Sequence, residues 1–191
     1  EGGLAVEAYG RVLALEPRHW TAAFNRGLLH QKRNDHAAAV DDFTRVLQLR
    51  PGETSTYYSL GLSFRRLERY GEALDAFQKV LDADPGHADA YNACGIALAA
   101  TGQHQAAIDL YAKALQINPL LAEAYLNMGL ALHEQARYEE ALDCWQKVLS
   151  FGVAPPERHF QMANTLNELR RHAQASERYD QSLALGYDSP E

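Results

Sequence analysis

The chain has 191 residues, 47% of them hydrophobic and 23% charged, a composition that excludes intrinsic disorder and low complexity. Its net charge of −7 argues against a duplex nucleic-acid binder, which needs clustered Lys and Arg for phosphates. No apolar run reaches the roughly 18 residues of a membrane span.

The N-terminal stretch EGGLAVEAYGRV carries acids at Glu1 and Glu7 and no basic segment, so it does not read as a signal peptide. It lacks an initiator Met, which reads as a fragment or a processed chain, and cytoplasm is the default compartment. The first predicted helix runs over residues 2–16 and stops before Pro17. Helical patterns then come in pairs. TSTYYSLGLSFRRL sets Tyr57, Leu60 and Phe64 at helical spacing, and EALDAFQKVLDA does the same with Ala73, Leu74, Phe77, Val80 and Leu81. A short polar turn, Glu68 to Gly71, lies between them.

The pairs recur. Pro17, Pro51, Pro85 and Pro119 are each 34 residues from the next. At the same period stands an aromatic column, Tyr9, Phe43, Phe77, Tyr111, Trp145 and Tyr179. Four residues before it stand Ala5, Ala39, Ala73, Ala107, Ala141 and Ala175. Sixteen before it, from the second aromatic on, stand Gly27, Gly61, Gly95, Gly129 and Ala163. Small and aromatic columns in phase mark a repeat architecture. The small residues are expected where two helices approach closely, and the aromatic is expected to fill space toward the next repeat. The layout is a half repeat at 1–19 (second helix only), then repeats at 20–53, 54–87, 88–121, 122–155 and 156–191, in all about eleven helices.

These columns resemble the tetratricopeptide repeat over essentially the whole chain. Tyr57, Leu60, Gly61, Phe64, Ala73, Phe77, Val80 and Pro85 follow its pattern, as do Tyr91, Cys94, Gly95, Leu98, Ala107, Tyr111, Ala114 and Pro119. Ala23 and Arg26 depart from it where bulky apolar residues are usual. Val153 and Tyr187 stand where the closing proline belongs, and FGVAPPER ends a helix at Gly152 and restarts at Pro155 and Pro156. The resemblance implies an all-α, right-handed superhelical solenoid of antiparallel helix pairs, in which each repeat buries its apolar stripe against neighbours.

No phosphate loop, zinc-protease, nucleophile-elbow or CxxC motif is present, so an enzyme, a cofactor and a bound metal are not expected. Cys94 and Cys144 read as two buried thiols. His36, His104 and His172 share one column, with Tyr70 and Tyr138 between them. They alternate along the array, about 20 Å apart if helix layers are about 10 Å thick, too far to share an ion. Packed rings near the helix turn are the simpler reading. Glu139 and Glu140 read as first-turn acids favouring a helix dipole rather than a catalytic pair.

The resemblance also implies a concave groove lined by the first helices. Its fifth places read Phe24, Tyr58, Asn92, Leu126 and Phe160, and its ninth places Leu28, Leu62, Ile96, Leu130 and Asn164. Beside this track Lys32, Arg65 and Arg66 lie toward the early repeats, and Glu123, Glu134, Glu157 and Glu168 toward the late ones. A peptide or helix held by apolar anchors, acidic end toward Arg65 and Arg66, is the expected ligand. The chaperone-binding subset of the family clamps a C-terminal carboxylate with Lys, Arg and Asn. Asn25 and Asn127 stand in the column of its middle Asn, but around Asn127 the flanking repeats offer Asn92, Ile96, Glu157 and Gln161, so no such clamp is expected. The leading expectation is a non-catalytic protein-interaction scaffold with an unidentified protein or peptide partner. The alternatives are self-assembly through array ends at Tyr9, Leu183 and Leu185, and a recruiting arm of a larger enzyme.

Overall fold

The structure is a computed structural model describing residues 2–152 and 156–187. The expectations at Glu1, Val153 and Pro155, and the repeat ends at 155 and 191, lie outside the described residues. Among the described residues the chain is all-α, with no strand. The helices are α1 (Gly2–Leu15), α2 (Trp20–Lys32), α3 (His36–Leu49), α4 (Thr54–Arg66), α5 (Tyr70–Ala83), α6 (Ala88–Ala100), α7 (His104–Ile117), α8 (Ala122–Glu134), α9 (Tyr138–Ser150), α10 (Pro156–Glu168) and α11 (His172–Ala184). The chain divides into two compact units, residues 1–101 and residues 102–191. In the first, α2 pairs with α3 and α4 with α5; in the second, α8 pairs with α9 and α10 with α11. Each is a solenoid segment built of helix pairs.

The turn inside each pair has one geometry. Asn34, Glu68, Gly102, Ala136 and Arg170, again 34 residues apart, all have φ between 56° and 77°. This left-handed residue lets the next N–H reach back to a helix carbonyl: Asp35 to His30, Arg69 to Phe64, Arg137 to Leu132 and Arg171 to Leu166, at 2.8–2.9 Å. Those bonds satisfy carbonyls that a helix end otherwise leaves open.

Second helices end in two ways, and the missing prolines explain which. Before Pro51, Pro85 and Pro119 the residues Arg50, Asp84 and Asn118 leave helical geometry, with φ of −140°, −137° and −127°. A proline ring excludes helical geometry from its predecessor. Where the proline is absent, after α9 and α11, a glycine turns the chain instead: Gly152 at φ 75° and Gly186 at φ 84°.

The core lies between the two helices of each pair. Ala39, Ala73, Ala141, Phe43, Phe77, Val46, Val80 and Val148 have no exposed surface. A Cβ added at Gly27 would come within 2.7 Å of the Phe43 ring, and one at Gly61 within 2.5 Å of Phe77. Gly129 meets Trp145 in the same way. These rings therefore lie on the glycine of their own hairpin. The glycine is required because the ring occupies the space of its side chain.

Candidate functional site

In the N-terminal unit α2 touches α4 and α4 touches α6, so the first helices stand in a row. Positions i, i+4 and i+8 of a helix share one face. On α2 that face carries Phe24, Leu28 and Lys32; on α4, Tyr58, Leu62 and Arg66; on α6, Asn92, Ile96 and Ala100. Phe24 and Tyr58 are half-buried, each tilted against the core aromatic of its hairpin, Phe43 or Phe77, at 5.8 Å. Tyr58 also meets the His87 ring at 5.1 Å. Leu28 is 39% exposed, and Leu62 and Ile96 are half-buried. Asn25, Lys32 and Arg66 are exposed and Arg65 half-buried. Asn92, expected at the ligand surface, is instead 4% exposed and belongs to the interior, where its small polar side chain is enclosed by packed helices.

In the C-terminal unit the matching face carries Leu126, Leu130 and Glu134 on α8 and Phe160, Asn164 and Glu168 on α10. Leu130 is 38% exposed, and Leu126 and Asn127 are half-buried. Phe160 packs against Tyr179 at 5.5 Å and Tyr187 at 4.9 Å. Asn164 accepts a 2.7 Å hydrogen bond from the Tyr179 hydroxyl, which engages it internally. Leu183 and Leu185 are 65% and 53% exposed beside a cavity of about 210 Å³ lined by Phe160, Tyr179, Ser182, Leu183 and Tyr187. Tyr9, by contrast, packs against the buried cluster of Leu13, Ala22, Ala23 and Val46.

Neighbouring first helices are tied by polar bridges that column-by-column reading of the sequence missed. Gln31 on α2 donates to the Ser59 carbonyl at 2.7 Å and to Ser63 Oγ at 2.8 Å on α4. His133 on α8 pairs through Nδ1 with Thr165 Oγ1 on α10 at 3.0 Å. Both side-chain pairs are 32 residues apart, two short of the repeat, which is the signal that locates them. At the place equivalent to Gln31 stands Arg65, whose Nε is buried without a partner.

The remaining candidates have structural roles. Glu140 pairs with Arg137 at 2.7 Å, and Glu139 with Arg171 at 2.8 Å. Arg137 holds the Glu140 carboxyl below its ordinary range, chiefly through the hydrogen bond. His172 Nδ1 lies 2.8 Å from Asn167 Oδ1. Burial, helped by the charge of Arg66, pushes the His36 pKa down. Cys94 and Cys144 are free and buried, and desolvation pushes both thiols up to about 11. At neutral pH they are protonated and unreactive. Among the described residues no group of three or more His, Cys, Asp or Glu could hold a metal, and no helix is long and apolar enough to cross a membrane.

Helix pairs with a row of partly exposed apolar first-helix residues define an interaction scaffold. Tetratricopeptide-repeat family models match residues 20–86, 58–122 and 122–151, and the chain belongs to this family, whose members are generally non-catalytic protein-interaction modules. None of the curated proteins compared matches it. Among solved structures, MamA 41-end from Desulfovibrio magneticus RS-1 superposes with a TM-score of 0.81 at 21% identity, over 89% of this chain and 97% of that one. The pilF protein of Pseudomonas aeruginosa gives 0.79 at 21%, over 89% and 78%. YrrB, described as a TPR protein with an unusual peptide-binding site, gives 0.73 at 22%, over 95% and 93%. At these identities the likeness establishes the fold.

Proposed function

We propose that the chain is a non-catalytic scaffold that takes a peptide or a helical segment against the face of its first helices. One observation carries this reading: Leu28, Leu62 and Ile96 stand at equivalent places of three helices in a row and keep part of their apolar surface open. Phe24 and Tyr58 anchor the base of that row in the core, so it is preformed and costs little to order. Covering one leucine completes a burial worth up to about 1.5–3 kcal/mol, and several together suffice for a peptide. The peptide-binding YrrB has the same fold, which supports the reading by analogy. Selection from a random peptide library on the immobilised protein tests it. A consensus enriched by the natural chain and lost with L28E/L62E, at unchanged melting temperature, is expected. Equal enrichment by both proteins sinks the reading.

Self-association is a second reading, favoured by the exposure of Leu183 and Leu185 beside the apolar cavity at Phe160 and Tyr179. Light scattering across a concentration series decides it. Mass rising with concentration, and falling back with L183S/L185S, is its signature; a constant monomer mass removes it.

A further inference from the structure

The first-helix faces of the two units differ in the sign of their charges, and the helices of the N-terminal one are unusual in charge. Although the chain carries a net −7, α2 and α4 contain no Asp or Glu at all. Their shared face runs aromatic, aliphatic, base: Phe24, Leu28, Lys32 and Tyr58, Leu62, Arg66. In α8 and α10 the last place is Glu134 or Glu168. Helix dipoles favour a base at a C-terminal end and disfavour an acid there. The dipole alone therefore does not set the pattern, because α8 and α10 place glutamates at the disfavoured end.

Among the described residues Lys32, Arg33, Arg65 and Arg66 form no ion pair. Nearby acids are few. Asp35 accepts from the Ala38 N–H and lies 3.4 Å from His30, Glu72 is held by Arg69, and Glu68 stands in the turn. Arg65 adds an independent observation. Its equivalents Gln31 and His133 bond a side-chain hydroxyl on the next first helix, but the residue standing there for Arg65 is Ala97, whose side chain has no polar group, and the Arg65 Nε is left buried and unpartnered. The buried Nε leaves the Arg65 charge uncompensated, and exposed, unpaired Lys32 and Arg66 beside it, next to an aliphatic row on two acid-free helices, are complementary to a carboxylate carried on an apolar segment.

We propose that the α2–α4 face binds an acidic, apolar peptide segment, its aliphatic side chains on Leu28 and Leu62 and its carboxylates on Lys32, Arg65 and Arg66. The proposal rests on the first-helix face being a peptide site and names the class of peptide. The test uses the full chain and three labelled libraries of peptides of about 12 residues, each mixing Leu, Ile, Phe and Tyr with one polar set: Asp and Glu, Asn and Gln, or Lys and Arg. Binding is read by retention on the immobilised protein at about 50 mM salt and again at about 500 mM, where screening is strong.

The acidic library is expected to be retained about tenfold more than the neutral one at low salt, with the lead shrinking at high salt. K32E/R66E, at two exposed positions, should reverse the order in favour of the basic library, and L62E should weaken all three. Equal retention of all libraries, or a lead of the basic one in the natural chain, overturns the acidic preference while leaving the peptide face standing. No retention of any library by folded protein overturns both. If single-stranded poly(U), which has no aliphatic side chains, is retained as well as the acidic library and L62E does not affect it, the patch is a general polyanion surface and the proposal fails.

Discussion

Asp42, only 3% exposed, accepts two hydrogen bonds from the Arg26 guanidinium, Nε to Oδ2 at 2.8 Å and Nη2 to Oδ1 at 2.5 Å. The hydrogen bond raises the Arg26 pKa above its ordinary value. In the next hairpin the same two places hold Leu60 and Ala76, so a part-buried ion pair stands where that hairpin has two apolar residues. R26A should cost about 3 kcal/mol, because it leaves a buried carboxylate without its partner. R26L/D42A, which copies the next hairpin, should return stability to near that of the natural chain. Urea denaturation of the set measures this, and additive losses in the double variant would refute the coupling.

Arg26 also shows where the sequence stops being legible. The aromatic, alanine and glycine columns are visible because packing in each hairpin imposes the same residue every 34 positions. Arg26 registers only as a departure from its column. Its reason lies in a second column, at Asp42, and only the paired geometry joins them. The left-handed turn residues were hidden for a similar cause. Gly102 and Asn34 have residue types that favour it, while Glu68, Ala136 and Arg170 adopt the same backbone against preference. For the candidate site, periodicity located the first-helix row but not its depth. Phe24, Leu28 and Leu62 reach the surface, whereas Asn92 in the same columns does not. Exposure depends on what each neighbouring helix covers, and that is set by residues a whole repeat away.

The glycine under each aromatic ring is the most sensitive small residue of the fold. G61A places a methyl 2.5 Å from Phe77, which is fully buried and cannot swing away. A loss of about 1–3 kcal/mol is expected from overpacking. G71A is the control: at the second residue of α5, with nothing within 4 Å of a new Cβ, it should stabilise by about 0.5–1 kcal/mol through helix propensity. Equal effects of G61A and G71A in thermal melts would show that the ring contact does not limit the spacing of α4 and α5.

Ala136 has φ 56° at the turn between α8 and α9, where an alanine side chain is strained and its equivalent Gly102 is not. A136G should stabilise the chain by about 0.5–1 kcal/mol, the relief of left-handed strain being partly offset by the flexibility glycine adds to the unfolded state. G102A should move stability the other way. Measured unfolding midpoints decide it, and a loss on A136G would mean that the Ala136 methyl makes contacts worth more than its strain.

His159 ties stability to pH. It is 8% exposed on α10, its Nδ1 has no partner, and its pKa is pushed down, first by burial and then by the charge of Arg178, against a hydrogen bond the ring donates to Gln181. A histidine whose folded pKa is lower than its unfolded one binds more protons when unfolded. Its contribution is therefore neutral well above the ordinary value of about 6.5, and stability falls as pH drops from there toward the lowered folded pKa. His36, shifted the same way, adds to this slope. At the place of His159 three earlier repeats carry Tyr57, Tyr91 and Tyr125, and at that of His36 two later repeats carry Tyr70 and Tyr138. H159Y and H36Y should thus fit their sites and flatten the fall in unfolding free energy between about pH 7 and 5, each removing part of it. The carboxylates Glu72 and Glu140, held low by Arg69 and Arg137, lose their contribution only as pH falls through their own range below, so the two effects separate along the pH axis. An unchanged slope in H36Y/H159Y would show that the histidines do not carry the sensitivity.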